Sequence, residues 1–229
     1  MAHIIIVHRW QGNPNGDWYP WLKKELDAKG HSVIVPKMPD PNHPTIQTWI
    51  AALSKVAGKV DESTFFVGHS IGCQTILRYL PHIPNNEVAG GVVLVAPWTK
   101  LKPTDEDTEE DIATGRPWVE MPLPWELAKV HAKKFFCLFS DDDPYVYTEE
   151  EKTFKQKLGA ETKMEHAKGH YTELDGIKHL PVVLGQIEKM IQKMETQLMD
   201  ADMSSYLLSH KSLAKLWDRP EEDEAWKNL

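Results

Sequence analysis

Short apolar runs alternate with segments whose apolar residues recur at helical spacing. Residues 2–8 are β-branched and almost wholly apolar, the pattern of a strand buried on both faces. Residues 18–29 follow with helical spacing and stop at Gly30. The same reading predicts strands over 31–36, 64–67, 90–96, 134–139 and 161–167, and helices over 45–60, 71–80, 148–158 and 181–199. Strands and helices alternating at these lengths imply βαβ units with right-handed crossovers and a parallel sheet covered on both faces. The expected class is a three-layer α/β domain.

Two stretches break the alternation. Residues 97–124 hold an acidic block, Asp105, Glu106, Asp107, Glu109, Glu110 and Asp111, together with Arg116 and Trp118. Prolines 117, 122 and 124 argue against a regular helix, so an irregular lid or binding loop is expected there. Its acids read as a solvated surface that disfavours anionic substrates. After the last core helix, Ser204 is placed to cap a short helix reaching about residue 217. Pro220 with Glu221, Glu222, Asp223 and Glu224 reads as a frayed tail. The domain reading is residues 1–200 for the α/β unit and 201–229 for a helical, acidic extension.

Composition narrows the function classes. At 229 residues, 41% hydrophobic and 26% charged, the chain suits one folded α/β domain. A net charge of −8 disfavours nucleic acid and anionic membranes as partners, because both call for clustered Lys and Arg. No apolar run approaches the roughly 18 residues that span a bilayer. The N-terminal residues lack a signal peptide's basic start and small-residue cleavage site. Cys73 and Cys137 make neither a disulfide framework nor a zinc-type pair. A cytoplasmic location is expected.

The chemistry centres on Gly68-His69-Ser70-Ile71-Gly72, a G-x-S-x-G motif where a strand turns into a helix. A nucleophilic serine needs that strained elbow, with glycines where strand and helix approach closely. It also needs a base and a group to orient the base, in the chain order Ser, then Asp or Glu, then His. Ser140-Asp141-Asp142-Asp143-Pro144 follows the fifth strand and Gly169-His170 the sixth, at the edge where open α/β sheets place their ligands. His170 is the expected base, and Asp143 is favoured over Asp142 as the acid because Pro144 fixes the turn. The oxyanion hole is expected from the backbone N–H of Ile71 and that of Trp10, with Arg9 as the alternative second donor. His8, Arg9, His69, Trp98 and Trp118 are expected around the substrate pocket, and Cys73 as a small buried filler. His166 and His170 have a metal pair's spacing but lie in strand and loop, so no metal is expected. Gly12 and Gly16 carry no G-x-G-x-x-G and no Walker lysine, so neither nucleotide nor other cofactor is expected.

These motifs, with several flanking stretches, resemble the small serine hydrolases of the retinoblastoma-binding-protein-9-like group. Asp17-Trp18-Tyr19-Pro20-Trp21-Leu22-Lys23-Lys24-Glu25-Leu26 is similar to that group's first helix, and Met38-Pro39-Asp40-Pro41 to its loop after the second strand. Arg116-Pro117-Trp118 with Trp125-Glu126 resembles its lid, and Asp142-Asp143-Pro144 and Gly169-His170 resemble its acid and histidine loops. The resemblance covers about residues 2–195. It implies an α/β-hydrolase fold with about six mostly parallel strands in the order 2-1-3-4-5-6 and a small irregular lid in place of a large cap. It implies catalysis by Ser70, Asp143 and His170 on an ester or amide through an acyl-enzyme. Many members have glycine where this chain has Arg9. No L-x-C-x-E sequence is present, so no retinoblastoma-type pocket protein is expected as a partner. The rival readings are an interaction module on the same scaffold, binding a protein or itself through the extension, and an acyltransferase using the same serine.

Overall fold

The computed structural model describes residues 1–105 and 107–217. The apolar runs form six strands: β1 His3–Val7, β2 Ser32–Ile34, β3 Thr64–His69, β4 Gly91–Val95, β5 Phe135–Ser140 and β6 Glu161–Glu165. All neighbouring pairs are parallel, in the order β2-β1-β3-β4-β5-β6. β1, β3, β4 and β5 are buried almost throughout, which explains their unbroken apolar runs. The edge strands are partly exposed: β2 is only three residues long and β6 carries charged residues, both of which blunt an edge against further pairing.

Helices α1 Tyr19–Ala28, α2 Ile46–Ala57, α3 Ile71–Tyr79 and α6 Glu150–Leu158 form the crossovers, and α7 runs over Pro181–Trp217. The strand order reverses direction between β1 and β3. The loop leaving β1 and the turn leaving β3 therefore diverge at their C-terminal ends and open a crevice, where such sheets bind ligands. β3 extends two residues beyond its expected end, pairing Gly68 with Leu94 and His69 with Val95, so the strand delivers the chain straight into Ser70.

The lid corrects the sequence reading. Residues 97–124 are not irregular throughout: α4 spans Glu109–Glu120 with Pro117 inside it, and α5, which the sequence reading did not anticipate, follows the stretch at Trp125–Val130. Proline removes one N–H from α4, but a capping box compensates at its start. Thr108 Oγ1 accepts from Asp111 N–H, while the Asp111 carboxylate accepts from Thr108 N–H. Glu109, Glu110 and Asp111 occupy the first turn, where the helix dipole favours negative charge, so part of the acidic block is a helix start. At the other end, the buried Arg78 guanidinium donates to the carbonyls of Trp118, Met121 and Pro122.

The chain divides into two compact units, Met1–Ile191 and Gln192–Leu229. The second consists, among its described residues, of the later turns of α7. Ser204 lies inside that helix and does not start a new one, because no glycine or proline interrupts the chain between Gly185 and Pro220. The expected frayed tail with Pro220 and Glu221 to Glu224 lies outside the described residues. No helix among the described residues is long and apolar enough to cross a membrane.

Candidate active site

Ser70 stands between β3 and α3 with φ 55° and ψ −117°, a backbone conformation that a side-chain-bearing residue adopts only when its surroundings enforce it. The enforcement is visible. Ser70 N–H donates to Val95 O at 2.9 Å, and Cys73 N–H donates to Ser70 O at 2.9 Å. Gly72 is obligatory, since a Cβ there would collide with the Val7 carbonyl oxygen. Cys73 fills the space behind the elbow, its Sγ–H donating to Val95 O, and burial pushes its thiol up and away from reactivity. Ser70 Oγ accepts from Trp98 Nε1–H at 3.4 Å. Among the described residues, Ser70 Oγ makes no hydrogen bond to His170.

The loops after β5 and β6 are stapled together by three consecutive carboxylates. Asp141 accepts from Ala167 N–H and pairs with His166 Nδ1, a bond that lowers the Asp141 carboxyl below its ordinary range. Asp142 Oδ1 accepts from Ser140 Oγ–H, Lys168 N–H and Gly169 N–H, and the Ser140 bond leads in lowering its carboxyl. Asp143 Oδ2 lies 2.8 Å from His170 Nδ1, while its Oδ1 accepts from Tyr145 N–H and Val146 N–H. The sequence reading gave a role only to Asp143, with Asp142 as its alternative. Each instead holds a different residue of the histidine loop, and Asp143 is the one in contact with the imidazole.

Sequence reasoning missed Asp175. Its Oδ2 accepts from His170 N–H, Thr172 N–H and Thr172 Oγ1–H. Gly169, at φ 54°, leaves the room for it, because a Cβ at 169 would strike the Asp175 carboxylate. The signal was present in the sequence as Thr172 followed three residues later by Asp175, but nothing local tied that turn to His170. The Tyr145 ring stands edge-on to the imidazole at 5.0 Å.

The loop after β1 is organised around one peptide plane. Arg9 O accepts from His8 Nδ1–H at 2.8 Å and Gly12 N–H at 3.1 Å. In a trans peptide this turns the Trp10 N–H to the opposite side. Among the described residues neither Trp10 N–H nor Ile71 N–H donates a hydrogen bond, so both are free to meet a developing negative charge. The Arg9 N–H, the alternative donor, is already engaged by the Tyr19 hydroxyl at 3.2 Å.

Most of the expected pocket residues do not line an open pocket. His8, His69, Trp98 and Trp118 are each at most 1% exposed. His8 accepts from Met38 N–H at Nε2, and burial lowers its pKa, as suits a neutral ring that orients the Arg9–Trp10 peptide. Arg9 is tied to Asp17 at 2.9 Å and to Trp10 O at 3.0 Å. Trp118 donates to Pro44 O and packs edge-on against Trp49, anchoring α4 over the loop before α2. Burial of a tryptophan depends on what packs over it, which local sequence does not reveal. Trp98 alone of the expected tryptophans contacts Ser70. A groove of about 630 Å³ between α2 and the end of the lid, walled by Ile46, Ile50, Arg78, Met121 and Pro122, does not include Ser70.

The model of a family described as Serine hydrolase matches residues 4–189. The protein YdeN of Bacillus subtilis (strain 168) is 29% identical over 190 residues, which cover 83% of this chain and 96% of YdeN. The YdeN crystal structure aligns with a TM-score of 0.77 at 28% identity, covering 84% of this chain and 100% of that one. Est1E from Butyrivibrio proteoclasticus, solved with ferulic acid bound, shares the fold with a TM-score of 0.64 at 14% identity, over 86% of this chain and 90% of its own. The chain belongs to the serine hydrolase family and is an enzyme of the α/β-hydrolase superfamily.

Proposed function

We propose that this enzyme cleaves a carboxylic ester or amide of a small, mainly apolar substrate, with Ser70 as nucleophile, His170 as base and Asp143 as the acid that orients the base. The observation that carries the reading is the buried His170 Nδ1–Asp143 Oδ2 contact at 2.8 Å, in loops that open at the same sheet edge as the elbow serine.

Ser70 Oγ turns from Trp98 toward His170 Nε2 and attacks the substrate carbonyl carbon as its proton passes to the imidazole. The apo separation tightens when substrate fills the site, as is common for catalytic hydrogen bonds. Asp143 accepts the hydrogen bond of Nδ1–H and stabilises the imidazolium. Ile71 N–H and Trp10 N–H bind the oxyanion, with the positive end of α3 behind them. Collapse expels the alcohol or amine, which takes the proton from His170. Water then attacks the acyl-enzyme by the same route, regenerating Ser70 and releasing the acid. The Tyr145 ring beside His170 and the Trp98 indole beside Ser70 favour an apolar acyl group. Placement in the retinoblastoma-binding-protein-9-like group, a cytoplasmic location, and the absence of nucleic-acid, membrane and pocket-protein partners belong to the same proposal.

A fluorophosphonate probe tests it, since such probes phosphonylate an activated serine without the natural substrate. Wild type is expected to label, Ser70→Ala not at all, and His170→Ala and Asp143→Asn weakly. A folded wild type that does not label overturns the proposal and leaves the interaction-module reading standing.

A further inference from the structure

Two hydrogen-bonded routes join the loop after β1 to the loop after β6, and both begin at Arg9. In the first, Arg9 N–H donates to Tyr19 Oη at 3.2 Å, Tyr19 Oη lies 2.7 Å from His69 Nδ1, and His69 Nε2 lies 2.7 Å from His170 O. A carbonyl oxygen only accepts, so His69 carries its proton on Nε2. Its Nδ1 is then the acceptor, and Tyr19 donates to it. In the second route, Arg9 Nε–H donates to Asp17 Oδ2 at 2.9 Å, and Asp17 Oδ1 accepts from Glu173 N–H at 2.9 Å.

The first route is buried from end to end of its side chains. Tyr19 and His69 have no exposed surface, and the Trp18 and Tyr19 rings pack on His69 at 5.6 and 5.9 Å. Every ring nitrogen and hydroxyl in it has a partner, which is the condition for a buried polar chain to add rigidity. Burial holds the His69 imidazole well below its ordinary pKa, in keeping with a neutral ring of one fixed tautomer. An apolar pair would fill the same volume without desolvating three side-chain polar groups but would leave Arg9 N–H and His170 O without these partners, so packing alone does not account for this choice. The ends of the routes are informative. Arg9 precedes the peptide that presents Trp10 N–H, and the other end is the backbone of His170 itself.

We propose that Tyr19, His69 and Asp17 are positioning residues that hold the oxyanion loop and the base loop at a fixed separation across Ser70. The role rests on the assignment of Ser70, His170 and the Trp10 N–H given above. His69 supports the carbonyl of the base, Tyr19 passes that constraint to Arg9, and Asp17 closes a second strut beside it. Arg9 supplies the side chain that the second strut requires.

The test uses the full-length enzyme, a p-nitrophenyl ester and fluorophosphonate labelling. Tyr19→Phe deletes one oxygen from the first route, and Asp17→Asn weakens the second. Each is expected to lower kcat by roughly 10- to 100-fold, the scale of loss for a small misplacement of reacting groups, with KM within about threefold of wild type. His69→Gln, which keeps an N–H donor, is expected to retain several-fold more activity than His69→Phe, which keeps the ring and loses the donor. A role confined to core packing predicts the reverse order, and loss of melting temperature without loss of kcat. Folded Tyr19→Phe and Asp17→Asn enzymes with wild-type kcat would overturn the proposal. Because the two lie on separate routes, misfolding of one leaves the other to decide. Wild type and Ser70→Ala, run alongside, separate the outcomes: an unlabelled wild type removes the catalytic reading and this role with it, whereas a labelled wild type with unaffected variants removes only this role.

Discussion

Asp142 Oδ1 accepts the Gly169 N–H at 2.9 Å, one residue before the Asp143–His170 pair on both strands' exit loops. Neighbouring acids therefore serve neighbouring residues, and their substitution should separate chemistry from support. Asp143→Asn places an amide where His170 Nδ1–H needs an acceptor, favouring the tautomer that cannot take the Ser70 proton. A loss in kcat of about 10⁴ is expected, with little change in KM. Asp142→Ala leaves Ser140 Oγ–H and Gly169 N–H without their acceptor, while Lys168 N–H keeps Ser140 Oγ, at a cost of about 1 kcal/mol because water reaches this carboxylate, and a kcat loss of roughly tenfold. Steady-state kinetics and urea unfolding on both variants check this. Equal loss of kcat in the two would remove the distinction between them.

Gly169 carries a second prediction on the same loop. Alanine there would sit at φ 54° and push against the Asp175 carboxylate, which holds His170 N–H. The strained backbone alone costs about 1–2 kcal/mol. Displacement of Asp175 should add a fall in kcat that Gly159→Ala, also at positive φ but with open space around it, does not share. Comparing melting temperature with kcat in the two variants separates strain from misplacement.

How much of this was legible in the sequence depends on the range of each interaction. The buried strands were readable because both faces are covered, leaving unbroken apolar runs such as Ile4–Val7 and Val92–Val95. The elbow was readable because its strain is resolved locally, by glycines at fixed offsets from Ser70. The helix α4 was not readable, because the rule that proline disrupts helices takes no account of Arg78, which is far away in the chain and takes up the carbonyls at the helix end. His69 and Asp17 were hidden for the same reason: their partners, His170 and Glu173, come close only after the sheet has formed. Trp118 was read as a pocket wall although its N–H is committed to Pro44 O, a contact that exists only once the lid has closed over that loop.

Arg78 has no carboxylate partner among the described residues, and burial lowers its pKa to about 10. Its charge is met by Gln74 Oε1 and by the carbonyls at the C-terminal end of α4, where the helix dipole favours a cation. Arg78→Met removes those donors, with an expected loss of roughly 3 kcal/mol and faster amide exchange across α4. Arg78→Lys, with a smaller reach and a single ammonium, should fall between the two. Wild-type protection of the last turn of α4 is expected to change little with added salt, because among the described residues no exposed ion pair holds this end. Unchanged exchange in Arg78→Met would show that the lid is held elsewhere.

Stability should fall as the pH drops from 7 to 5, and His69 and His8 give the sign. Burial holds both imidazoles below the ordinary value of 6.5. Above pH 6.5 neither the folded nor the unfolded chain protonates them, and the stability associated with them is complete. Below it, the unfolded chain takes up protons that the folded chain refuses, so unfolding is favoured by about 1.4 kcal/mol per pH unit for each histidine while its native ring stays neutral. The loss ends only when the pH reaches the depressed native values. His166, which Asp141 raises, works in the opposite direction and above this range, since its contribution is complete below pH 6.5 and fades as the pH rises. Urea unfolding at pH 7, 6 and 5 measures the slope, and His69→Gln should reduce it by close to one proton. A slope that His69→Gln leaves unchanged would mean that the buried ring accepts its proton at the ordinary pH, and its fixed tautomer between Tyr19 and His170 would fall with it.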